Sequence, residues 1–300
     1  MQVLVVGGTG FIGSALAAEL VDREHDVTVL SRDPSEDDVP DGVDTAMGDV
    51  TALDSIEPAF EDVDVAVNLV ALSPLFKTSG DRTHERIHLG GTENVVAAAE
   101  THDVDRMVQM SALGADPDGP TAYLRAKGEA EAVVQESSLE HVIVRPSVVF
   151  GEGGEFVSFT KRTKRLFAPL LPIAPLPGGG STPFQPIFLG DLVPMLADCV
   201  TEAEHGDATY EIGGPEALTL AEITRMVYRA EGKRMRVLPV PMALAGVGIS
   251  VLGVLPPFPF GRDQYRSLKV DNTLTENDVT AFDTDPAALT TLAEYLGLEE

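Results

Sequence analysis

Residues 3–16 read VLVVGGTGFIGSAL: four apolar residues, a glycine cluster, then an apolar pattern of a different period. Val3–Val6 is a short continuous apolar run, as in a buried strand, while Ile12–Val21 places its apolar residues at helical spacing. Gly7, Gly10 and Gly13 stand three apart across the junction, with Gly8 and Thr9 between them. An ordinary strand-to-helix turn needs one or two glycines. Three at this spacing serve three demands: a tight turn, close approach of backbone N–H groups to a pyrophosphate, and close contact between helix and strand. The helix N-terminus adds about half a positive charge facing that anion. The stretch predicts a dinucleotide-binding unit.

The same texture continues outward. Strand-like runs recur at Val27–Leu30, Val63–Ala71, Arg106–Met110 and Val142–Val144, with helix-like stretches at Ser55–Phe60, Thr83–Glu100 and Ala122–Glu136. Strands alternating with helices predict an α/β fold, a Rossmann-type doubly wound parallel sheet with right-handed crossovers. Continuous apolar runs suit strands buried on both faces. This NAD(P)-binding domain is expected over residues 1–150. After Gly151 the chain becomes rich in proline and glycine (residues 168–187, APLLPIAPLPGGGSTPFQPI), which reads as irregular structure or a loop around a pocket. Helical patterns return at Asp191–Glu202 and Leu220–Glu231, and an apolar peak covers Met242–Leu255. A smaller C-terminal substrate lobe is expected over 151–300, with some chain returning to the Rossmann core.

Charge narrows the partners. The 300 residues carry 48 acids against 21 bases, a net charge of −27, with 44% hydrophobic residues, enough for a core. Such a surface repels nucleic acid and excludes it as a partner. The acids are scattered, with one short bunch at Ser35-Glu36-Asp37-Asp38, so they read as a solvated coat resembling that of proteins from salt-loving cytoplasms. A single cysteine, Cys199, excludes a disulfide framework and a thiolate metal cluster, and reads as a buried small hydrophobe; no metal site is expected. Met1 and Gln2 lead straight into the first strand without a basic leader, so a cytoplasmic location is expected, with possible attachment to the membrane periphery.

The second strand ends Val29-Leu30-Ser31-Arg32. An NAD site places a carboxylate there to hold the ribose 2′-hydroxyl. A serine does not repel a 2′-phosphate and a guanidinium binds one, which favours NADP(H) over NAD(H), although Asp33 follows. Asp49 and Val50, after a third short strand, are candidates for the adenine edge, the carboxylate accepting from the amino group and the valine packing on the ring; a plain loop aspartate is the alternative. In the predicted helix Ala122–Glu136, Tyr123 and Lys127 lie four apart and so share a face. A nearby ammonium favours the phenolate, which would make Tyr123 a general acid/base for a carbonyl–alcohol pair. Lys127 is also placed to hold the nicotinamide ribose. Ser111, at the end of the fifth strand, is placed to steady the substrate oxygen.

These features resemble the short-chain dehydrogenase/reductase superfamily, in its extended and atypical branches. Val67-Asn68-Leu69-Val70-Ala71, His88-Leu-Gly-Gly-Thr, Ser111-Ala-Leu-Gly-Ala, Tyr123-Leu-Arg-Ala-Lys127, Arg145-Pro-Ser-Val-Val-Phe-Gly151 and Gln185-Pro-Ile-Phe-Leu-Gly-Asp191 are similar to the NADPH-binding accessory subunit of respiratory complex I and its prokaryotic relatives. The resemblance implies cofactor contacts at Gly7, Thr9, Gly10, Phe11, Ile12, Arg32, Asp49, Val50, Leu69, Ala71, Lys127 and Pro146, with Asn68 beside them. Where His88 stands, many relatives carry an asparagine that helps a proton relay; the histidine is either a relay or a packing residue.

Two further stretches bear on substrate and partner. Met242–Leu255 is fourteen residues, about 21 Å as a helix against the ~30 Å core of a bilayer, so it does not span one. It reads as a lobe helix or a membrane-surface element. Phe156–Leu171 mixes Phe and Leu with Lys161, Arg162, Lys164 and Arg165, which suits lipid, an anionic substrate or a solvated face. Together they suggest a small hydrophobic substrate, such as a quinone or isoprenoid, and contact with a membrane or respiratory complex. The sequence therefore reads as an NADP(H)-dependent oxidoreductase. The alternatives are a non-catalytic NADPH-holding subunit or assembly factor of a respiratory complex, and a nucleotide-sugar epimerase or dehydratase.

Overall fold

The computed structural model describes residues 1–35, 39–78, 80–157, 160, 172–252 and 261–298. Nearly all of the basic Phe156–Leu171 stretch, residues 253–255 of the apolar peak, and Glu36–Asp38 lie outside them.

The strands β1 (Gln2–Val6), β2 (Asp26–Ser31), β3 (Val43–Met47), β4 (Val65–Asn68), β5 (Arg106–Met110) and β6 (Glu140–Pro146) join a seventh, Ala208–Ile212, in one sheet. Its order is Ala208–Ile212, β6, β5, β4, β1, β2, β3. The β1–β2, β2–β3, β1–β4, β4–β5 and β5–β6 pairings all run parallel. Val6 at the end of β1 pairs with Leu30 on one side and Asn68 on the other. The winding reverses beside β1, and in open α/β sheets that reversal is where ligands bind, beyond the carboxyl ends of the strands. The interior strands are buried along almost their whole length, which is why they read as unbroken apolar runs. Helix α1 (Phe11–Asp22) buries Leu16, Ala17 and Leu20. Leu4, Val6, Ile56, Phe60, Val95 and Met107 form one core cluster.

Three elements differ from the sequence expectation. The expected Val63–Ala71 strand is only Val65–Asn68; beyond it Leu69 N still donates to Val6 O at 2.9 Å, but the chain then leaves the sheet. Thr83–Glu100 is not one regular helix: a π-helical turn, Glu85–Leu89, leads into an α-helix, Gly90–Thr101. The change falls at Gly90-Gly91, where helix propensity is poor and where a Cβ on Gly91 would sit 3.0 Å from Val50 Cγ2. Ser55–Phe60 is a short helix, Leu53–Ile56, followed by a tighter turn, Glu57–Phe60, because Pro58 starts a new turn.

The chain divides into two compact units. One comprises Met1–Leu72, Thr78–Pro146 and Leu192–Glu211; the other comprises Ser73–Lys77, Ser147–Asp191 and Ile212–Glu300. The second unit has its own core of Phe150, Phe156, Ile223, Val227 and Leu292. In it, strand Ile173–Pro177 pairs in parallel with Arg236–Val240, and helix Leu220–Ala230 starts on a reciprocal cap between Thr219 and Glu222. Among the described residues no helix is long and apolar enough to cross a membrane.

Arg106 ties β5 to the end of helix Leu189–Thr201. Its Nε donates to Glu140 at 2.6 Å, and its Nη1 donates to the carbonyls of Cys199 (3.2 Å) and Glu202 (2.7 Å). Cys199 itself is buried, as its surroundings in the sequence suggest. Replacing Arg106 with Met leaves those carbonyls unpaired and should destabilise the protein by about 2–4 kcal/mol, read from denaturant unfolding at fixed salt.

Candidate active site

The glycine turn is built by close contact. Gly7 takes φ +83°, a conformation that L side chains rarely adopt, and its N–H donates to Leu30 O at 2.8 Å. A Cβ on Gly13 would lie 2.5 Å from Gly8 Cα and 2.6 Å from Gly7 O, so α1 begins in contact with the turn that precedes it. Gly10 caps α1 without a side-chain hydrogen bond, and the first bond of the helix is Ser14 N to Gly10 O at 2.9 Å. The amides of Phe11, Ile12 and Gly13 thus have no partner within the helix. Gly10 is exposed and Thr9, Phe11 and Ile12 are half-buried, so the amide edge is open. A row of backbone donors at an exposed glycine fits a pyrophosphate.

At the end of β2, Ser31 Oγ is buried with no hydrogen-bond partner, and Arg32 beside it is exposed. An orphan hydroxyl next to a solvated guanidinium fits a ribose or its 2′-phosphate. Asp49 Oδ1 accepts from Thr51 N and Thr51 Oγ1, both at 2.9 Å, which leaves Oδ2 for an adenine amino group. The Thr51 backbone bond holds the Asp49 carboxyl below its usual range, with smaller contributions from the Arg32 and Arg86 charges. Val50 is buried and its carbonyl accepts from Asn94 Nδ2 at 2.7 Å. Leu69 is half-buried and Ala71 exposed just past β4, and Pro146 is buried at the end of β6. Asn68 is committed to the protein: its Nδ2 donates to Thr92 and Gln109, and its Oδ1 accepts from Val70 N.

Helix Ala122–Glu136 starts on the Thr121 side chain, which accepts from Leu124 N at 3.2 Å. Tyr123 is half-buried, with the His84 and His88 rings edge-on to it at 5.5 and 5.3 Å. Lys127 is 2% exposed and donates from Nζ to Met110 O at 2.7 Å. Burial moves the two groups in opposite directions, because it disfavours each charged form. The Tyr123 phenol is pushed up to about 12. The Lys127 ammonium is lowered to about 8, with Glu131 opposing the shift. The expectation that the ammonium would favour phenolate is thereby corrected: Lys127 turns to Met110, and burial dominates at Tyr123.

Ser111 also departs from its expected part. Its hydroxyl is buried and donates its single proton to Glu131, so it has none to give a substrate oxygen. Glu131 is buried as well and takes a two-pronged bond from Arg145, Nε to Oε1 at 2.9 Å and Nη2 to Oε2 at 2.5 Å, while Arg145 Nη1 reaches Glu211 at 3.1 Å. Sequence reasoning missed Glu131, although it stands four residues after Lys127 on the same helix face. His88 accepts from Leu72 N at 3.3 Å through Nε2, so its proton sits on Nδ1. Burial pushes its pKa well down and keeps it neutral.

A family model described as NAD(P)H-binding matches residues 7–166. The chain belongs to the NAD(P)H-binding family. It is 29% identical over 272 residues to divinyl chlorophyllide a 8-vinyl-reductase of Cucumis sativus, covering 86% of this chain and 63% of that protein. It is 28% identical over 301 residues to the mitochondrial NADH dehydrogenase (ubiquinone) 1 alpha subcomplex subunit 9 of Arabidopsis thaliana, covering 94% and 73%. The UDP-glucose 4-epimerase of Thermotoga maritima, solved with UDP-glucose, shares the fold at a TM-score of 0.72 and 16% identity, over 99% of this chain and 97% of that one. An NAD(P)-binding, oxidoreductase-like protein is thus established; the chain spans under two thirds of the cucumber reductase.

Lys127→Met gives a pH signature. Folding lowers the lysine from an ordinary value near 10.5 to about 8, so the unfolded chain holds the proton more tightly in between. The cost of burying the charge is constant below about pH 8 and relaxes as the pH rises towards 10.5. Melting temperatures measured across that range should therefore move in the parent's favour relative to Lys127→Met.

Proposed function

We propose that the protein is an NADP(H)-dependent oxidoreductase that reduces the carbonyl of a small hydrophobic molecule. The observation that carries this reading is the Tyr123 phenol, kept protonated one helical turn from the buried Lys127 ammonium. Gly7, Thr9, Gly10, Phe11 and Ile12 would hold the pyrophosphate, Ser31 and Arg32 the 2′-phosphate, and Asp49 and Val50 the adenine. Leu69, Ala71, Lys127 and Pro146 would line the nicotinamide end.

When bound, the reduced nicotinamide supplies a hydride to the carbonyl carbon. The matching proton comes from Tyr123, which holds its proton at neutral pH. Lys127, bonded to Met110 O, has N–H donors to spare for ribose hydroxyls. Solvent then returns a proton to Tyr123, and the product is the alcohol. Ser111 acts through Glu131, fixing the carboxylate that keeps Lys127 cationic. The composition of Ile173–Phe188, sixteen residues without one charged side chain, supports a hydrophobic substrate. The second reading is a subunit that holds NADPH within a respiratory complex without turnover. The committed proton of Ser111 favours it, since that takes one donor away from the substrate oxygen.

Tyr123→Phe separates the two readings. Turnover of NADPH with carbonyl substrates should fall about 10²–10⁴-fold, with the NADPH-induced rise in melting temperature unchanged. Full rate in the mutant would overturn the enzymatic reading. Arg32→Ala should weaken NADPH binding about tenfold by calorimetry and leave NADH binding unaltered.

A further inference from the structure

Charge is unevenly spread along this acidic chain. Residues 225–269 carry eight bases (Arg225, Arg229, Lys233, Arg234, Arg236, Arg262, Arg266 and Lys269) against two acids, while the rest carries thirteen against forty-six. The same segment holds three of the five large apolar side chains that stand exposed among the described residues: Leu238 at 49%, Leu244 at 65% and Val247 at 63%. Leu244 and Val247 are three apart in helix Met242–Leu252 and share a face. That helix is held by its neighbour Arg262–Ser267: Tyr265 donates to Met242 O at 3.1 Å, and its ring packs where Gly246 has no side chain. Lys269 Nζ lies 4.4 Å from the centre of the Tyr265 ring. Arg236, Arg262, Arg266 and Lys269 are exposed.

We propose that helix Met242–Leu252, with the cations of Arg236 and of Arg262–Lys269, is a docking face for an anionic lipid bilayer. Apolar side chains exposed on a helix, with exposed cations on the neighbouring helix and strand, suit a helix that lies in the headgroup layer: the side chains enter the acyl boundary and the bases meet the phosphates. Charge complementarity selects this occupant. The net charge of the chain repels anionic lipid, so a basic segment that binds it fixes the orientation of approach. A second copy of the chain fits poorly. A two-fold contact would set the same cations against each other, and two or three side chains fall short of the ~1,200 Å² that a stable interface buries. The proposal does not depend on the chemistry assigned to Tyr123.

The test is cosedimentation of the purified chain with vesicles of phosphatidylcholine alone and of phosphatidylcholine with 40% phosphatidylglycerol, at 0.1 M and 1 M potassium chloride. Binding should occur on the anionic vesicles only and weaken in 1 M salt, where screening shortens to about 3 Å. Leu244→Asn/Val247→Asn and, separately, Arg262→Glu/Arg266→Glu/Lys269→Glu should each reduce it at least tenfold, with the NADPH-induced melting shift intact as proof of folding. No binding to either vesicle, equal binding to both, or undiminished binding by both variants would overturn the proposal. So would a parent dimer that Leu244→Asn/Val247→Asn converts to a monomer in size exclusion, which would assign the face to a second copy.

Discussion

The structure depends on a contact that only missing side chains permit. Gly13 meets the backbone of Gly7 and Gly8, and a Cβ on Gly8 would lie 2.5 Å from Val29 Cγ2, so helix, turn and second strand close on one another. That closeness points the first amides of α1 past the carboxyl end of β1, where the winding of the sheet reverses. Any methyl group at these positions would push the helix start away from the sheet and break up the row of donors. An anion site made from backbone needs no charged side chain, which suits a protein as acidic as this one.

A second constraint lies beneath the Tyr123 helix. A buried carboxylate is costly unless its lone pairs are met, and Glu131 has them met by Ser111 and by both prongs of Arg145. The network anchors the helix on which Lys127 and Tyr123 stand and gives the buried ammonium a counter-charge. One physical cause, loss of water, raises the phenol and lowers the ammonium.

The charge distribution acts at longer range. Forty-eight acids set the average field, and the cations gathered between residues 225 and 269, like those at 161–165, depart from it. Such asymmetry governs which surfaces the molecule approaches and in what orientation, and has little part in choosing the fold.

Much of this could be read from the residues alone, because the signals are local. Apolar runs set the parallel strands, glycine spacing set the first turn, and the four-residue interval set Tyr123 beside Lys127 on one face. Strand ends and helix breaks were less legible. Leu69–Ala71 continues the apolar run of β4 yet leaves the sheet, and Gly90-Gly91 loosens a helix whose apolar pattern does not change. What tertiary structure decided was where protons and lone pairs go. Ser111 gives its proton to a carboxylate twenty residues on, Asn68 closes on Thr92 and Gln109, and Lys127 turns to a strand carbonyl rather than to the phenol. A sequence fixes which groups are present and their spacing along one element. Which of them come within 3 Å, and how much water is left around them, follows only when distant segments pack, and that sets both the partners and the pKa values of this site.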